Sequence, residues 1–118
     1  MNILLEPQIT ADMRERYLLL ELDSFRVAPR EEPIASYCLL DRLDLGEMLV
    51  MQQYLDLHSN LMPNYRQRNW NYVEQAIDHL HGRWNHQLDS FYDTIRQRVR
   101  DLQANDPAED WDGVIDRY

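Results

Sequence analysis

The chain predicts a small single-domain α+β fold, with an N-terminal antiparallel β-hairpin packed on three to four helices. Three observations carry that expectation. Trp70, Val73, Ile77, Leu80, Trp84, Leu88, Phe91, Ile95, Val99 and Leu102 follow one another at steps of three and four only, the spacing of one helical face. Two apolar runs, residues 17–27 and 34–40, flank a polar loop bracketed by Pro29 and Pro33. And 118 residues, 44% of them hydrophobic, can bury a core without disulfide staples. The competing reading is an all-α bundle, because Leu18, Leu19, Leu20, Glu21 and Leu22 are good helix formers.

In chain order, residues 1–8 form a short leader whose Ile3, Leu4 and Leu5 can tuck an end onto the core. Thr10 caps a brief helical turn through Met13 and Arg16, with Asp12 and Glu15 suited to its positive end. The hairpin follows. Asp44 and Glu47 have capping-box spacing and start the next helix, whose apolar face is Leu45, Met48, Leu49, Leu55 and Met62. Pro63 limits how far that helix runs unbroken.

A single rod over 70–102 would span about 50 Å. A compact domain of this length is only about 35 Å across. Gly82 is therefore the expected break, with Asn85 capping the second helix of a hairpin that forms the floor for the strands. Residues 1–105 make the globular domain. Residues 106–118 make an acidic, aromatic tail in which Asp106, Pro107 and Glu109 predict one short helix ended by Gly113.

Composition excludes more than it proposes. There is no lysine, which removes phosphate-loop and Schiff-base chemistry. Gly46, Gly82 and Gly113 stand far apart, so no glycine-rich nucleotide cradle exists. The formal charge of −9 makes direct nucleic-acid binding unfavourable and would steer in a basic protein. No apolar run reaches membrane-span length, and residues 1–7 carry no basic residue of the kind that opens a signal peptide. Cys38, the single cysteine, fits a reduced cytoplasmic protein.

Glu74, Asp78 and His81 share a helical face and are weak candidates for a divalent metal, although a solvated polar face explains the same letters. Tyr65, Arg66, Arg68 and Tyr72 mix aromatic and basic residues as protein interfaces do; Trp111 and Tyr118 add two aromatics in the tail. Trp111 either docks back on the domain or folds into a partner's groove. No catalytic group and no cofactor are expected. The resulting expectation is a non-enzymatic interaction protein of accessory, adaptor or inhibitor type, binding a protein partner or a second copy of itself. An acidic inhibitor that imitates nucleic acid is the second reading, and a carboxylate–histidine metal enzyme the third.

Overall fold

The computed structural model describes all 118 residues and has an α+β fold with four helices and a four-stranded mixed sheet. The chain divides into two compact units, residues 1–53 with 114–118, and residues 54–113.

The first unit holds the sheet, in the order β1 (Asn2–Leu5), β3 (Ile34–Asp41), β2 (Tyr17–Arg26) and β4 (Ile115–Asp116). The expected hairpin is present as β2 (Tyr17–Arg26) and β3 (Ile34–Asp41), antiparallel, with Leu20 opposite Cys38 and Leu18 opposite Leu40. Leu20, Ser36, Cys38 and Leu40 lie on one face and are buried. A bulge interrupts the register between Glu21 and Ser24, and the Ser36 hydroxyl donates to the Asp23 carbonyl there at 2.7 Å. That bond gives a buried backbone carbonyl a side-chain donor at the irregular point of the ladder.

The leader is more than a tucked end. Residues Asn2–Leu5 form β1, antiparallel to β3, which makes β1 parallel to β2. Its connection must cross β3, as parallel strands require. A 3-10 turn (Glu6–Gln8) packs against β3 on the way, and α1 (Ala11–Arg16) follows, capped by Thr10 at 3.1 Å.

The tail departs from expectation. Instead of a helix after Pro107, a single turn closes from Trp111 N–H to the Ala108 carbonyl. The chain then extends into β4 (Ile115–Asp116), parallel to the end of β2. Arg26 donates to Asp116 at 2.8 Å, and the Arg117 guanidinium lies over the Phe25 ring. Pairing with an open strand satisfies backbone groups that one short helix would leave to water.

Helix α2 (Leu45–Arg66) belongs to the first unit up to Gln53 and to the second from Tyr54. It runs on past Pro63 into one further turn. Buried Met62 and Tyr65 hold that turn on either side of the proline, and Gln67 N–H donates to the Pro63 carbonyl. Pro63 forfeits only the amide that would meet the Ser59 carbonyl, and Ser59 is exposed.

The apolar stripe breaks where expected, into α3 (Trp70–Leu80) and α4 (Asp89–Ala104), which pack on each other. Val73, Ile77, Leu80, Trp84, Leu88, Phe91, Ile95 and Val99 are all buried. Gly82 takes φ +84°, the left-handed conformation that ends a helix. Asn85 does not cap α4; it sits in a left-handed turn, and Asp89 reaches back to the Gly82 N–H at 2.8 Å instead. No helix is long and apolar enough to cross a membrane.

Candidate functional site

The first two turns of α2 are the least explained apolar surface in the chain. Their start is well determined: Glu47 N–H donates to Asp44 at 2.8 Å, and Asp44 N–H donates to Glu47 at 3.1 Å. This is the capping box that the sequence predicts. The apolar residues following it do not enter the core. Leu45 is 79% exposed, Leu49 75% and Val50 67%. A groove of about 450 Å³ runs beside them, lined by Arg42, Leu43, Leu45, Met48, Leu49 and Gln52.

The expected core face of α2 is thus corrected at its N-terminal end. Its buried residues are His58, Leu61, Met62 and Tyr65, all in the second half. The reason lies in the helical period. Residues 48–51 read Met-Leu-Val-Met, and four consecutive positions spread around most of a helix. One buried face cannot take them all, so an unbroken apolar run on a helix signals outward-facing aliphatics.

Gly46 lies on the same outward arc. A Cβ there would meet only the Asp44 side chain, at 3.4 Å, so nothing in the chain requires a glycine. Gly46 is the second residue of α2, so it costs only part of the about 1 kcal/mol that glycine costs in a helix interior.

The aromatic and basic candidates are largely engaged within the second unit. Tyr65 is buried, and the Tyr65, Trp70 and Trp111 rings meet edge-to-face with centroids 5.3–6.0 Å apart. Arg68 lies over Trp111 and donates to the Ala108 and Glu109 carbonyls at 2.7 and 3.3 Å. Arg66 packs its aliphatic stem near Gly113. Trp111 is therefore docked. Tyr72 lines a shallow recess beside Trp70 and Gln103. Tyr118 alone of this set stays well exposed, at 66%.

Glu74, Asp78 and His81 do not converge. Arg96 pairs with both carboxylates and Arg100 approaches Glu74 at 3.5 Å, while His81 pairs with Asp93 at 3.0 Å. The chain contains no group of three or more His, Cys, Asp or Glu side chains placed to hold a metal ion.

Between α3 and α4 the backbone is strained. Trp84, Asn85 and His86 have φ of +56°, +53° and +62°, three successive non-glycine residues in the left-handed region. Side chains on both sides hold the turn. Trp84 is buried and its indole N–H donates to the Tyr92 hydroxyl at 2.9 Å; His58 Nδ1 pairs with the same oxygen at 2.9 Å. His86 pairs with Asp89 at 2.8 Å, and Arg83 lies over the Tyr54 ring. The Gly82 N–H holds the Asp89 carboxyl below its ordinary pKa, helped by His86 and His81. Neither imidazole is paired with a serine, threonine or cysteine. The cluster clamps the loop. Cys38 is fully buried, and desolvation pushes its thiol pKa up, away from the reactive thiolate.

No protein-family model, curated protein or solved structure matches this chain.

Proposed function

We propose that this chain is a cytoplasmic, non-enzymatic protein-interaction module that docks through the first two turns of α2. One observation carries the reading: Leu45, Leu49 and Val50 stand 67–79% exposed beside an apolar groove, on a helix whose start is firmly capped. Contiguous outward-facing aliphatics on a soluble domain mark binding surfaces, and a groove flanked by a helix suits shape-complementary docking. Support also comes from the tyrosine–arginine–tryptophan candidates. Tyr65, Arg68 and Trp111 already hold the tail, which leaves the exposed aliphatics of α2, with Tyr118, as uncommitted surface.

The test uses the full chain as bait in a native lysate, compared with Leu49→Glu and Tyr118→Ser. Both positions are exposed, so both variants keep the fold. The reading expects Leu49→Glu to lose the captured protein and Tyr118→Ser to retain it. Retention by Leu49→Glu with loss by Tyr118→Ser would move the docking surface to the C-terminus.

A further inference from the structure

We infer that the occupant of the α2 face is a second copy of this chain, its α2 packed antiparallel to the first. This rests on the interaction-module reading and names its partner. Charge is the first observation. The chain carries −9, yet from Leu45 to Leu55 its one charged residue is Glu47, whose carboxylate is occupied by the capping box. A twofold interface presents every charge twice and brings like charges together, so it must be neutral where it is self-complementary. A basic partner would instead call for free acids among the exposed aliphatics, and the two carboxylates there, Asp44 and Glu47, are both engaged in the capping box.

Gly46 is the second observation. It weakens the helix and serves no contact within the chain, but it opens a notch between Leu45 and Leu49. An antiparallel pair sets Leu45 of one copy against Leu49 and Val50 of the other. Leu49 then enters the partner's notch at Gly46, where a missing side chain lets the two helices approach closely.

Area is the third. Leu45, Leu49 and Val50 expose roughly 400 Å² per copy, or roughly 800 Å² in a pair, against about 1,200 Å² at the lower end of stable interfaces. Leu43 and Met48, both only partly exposed beside the groove, add a smaller share, so the contact lies just below that lower end, among small, weakly associating pairs.

Sedimentation equilibrium between about 1 and 200 µM tests the inference. The wild type should move from 14.3 kDa towards twice that mass. Leu49→Glu should stay at 14.3 kDa with an unchanged circular dichroism spectrum. Gly46→Leu should fill the notch and raise the dissociation constant at least ~10-fold, while each chain becomes more resistant to urea. A wild type of 14.3 kDa at every concentration overturns the inference, as does a dimer that survives both substitutions. If the wild type is monomeric but Leu49→Glu still loses a captured protein, the second-copy inference falls and the interaction module stands. If Leu49→Glu changes neither mass nor capture, both fall.

Discussion

Replacing Tyr92 by phenylalanine removes one oxygen atom from the best-connected polar point in the helical unit. Tyr92 is fully buried, Trp84 7% exposed and His58 2% exposed. The substitution leaves the aromatic packing of Tyr92 with His58 and Phe91 in place. It deprives the Trp84 indole N–H of its acceptor and His58 Nδ1 of a partner at 2.9 Å. A buried donor left unsatisfied costs about 1–3 kcal/mol, and a lost neutral hydrogen bond about 1 kcal/mol more. The expected loss is therefore about 2–4 kcal/mol, from a total stability on the order of 10 kcal/mol for a chain of this size. Tm should fall by about 8–15 °C. Urea and thermal unfolding followed by circular dichroism measure it, with Tyr118→Phe as the exposed control, expected within about 0.5 kcal/mol of wild type. A loss below about 0.5 kcal/mol for Tyr92→Phe would refute the role given to the hydroxyl in holding the left-handed turn.

Gly82→Ala should destabilise the chain by about 1 kcal/mol in urea, because φ +84° is strained for alanine although its Cβ would clash with nothing; a gain would mean that α3 and α4 are continuous in solution. Gly113→Ala should cost more, about 2–3 kcal/mol, since φ +76° is compounded by a Cβ 3.1 Å from Arg66 and 3.3 Å from Tyr65; equal losses at the two glycines would contradict this ranking. Asp89 is held below its ordinary pKa of 3.8, so its contribution is complete above that value and lost as pH falls through the lower folded value. Asp89→Asn should accordingly lower Tm at pH 6, with the gap to wild type closing below about pH 4; a gap that is constant from pH 6 to pH 3 would remove the ionic contribution.

The helical unit was legible in the sequence because its signals are local and repeated. Ten apolar residues at steps of three and four left one place for a break, and Gly82 occupies it. Thr10 and the Asp44–Glu47 pair act as the caps their spacing announces, since a cap depends only on neighbours three residues apart. The sheet was half legible. The β2–β3 hairpin joins adjacent segments, whereas β1 and β4 are four and two residues long and find their partners across the chain. Such short strands carry no periodicity, and pairing alone defines them. Pro63 misled because its penalty, one lost hydrogen bond near an exposed carbonyl, is smaller than the burial of Met62 and Tyr65 around it.

The candidate surface was hidden for a different reason. Leu45, Met48 and Leu49 have core spacing, and spacing alone does not say which face of a helix the rest of the chain covers. The aromatic and basic residues of the 65–72 region drew attention by type. Tyr65 and Arg68 turn out to hold Trp111 and the tail backbone. The apolar run 48–51 was the available clue, because four consecutive apolar helical positions cannot share one buried face.

The most direct measurement is an isotope-filtered NOE experiment on an equal mixture of carbon-13-labelled and unlabelled chains. Contacts between a labelled and an unlabelled methyl arise only across an interface between copies. An α2–α2 interface predicts cross-chain NOEs from the Leu45 methyls to those of Leu49 and Val50, all abolished by Leu49→Glu. Cross-chain NOEs confined to other residues, or none at a concentration where the mass has doubled, would contradict the placement of the interface on α2.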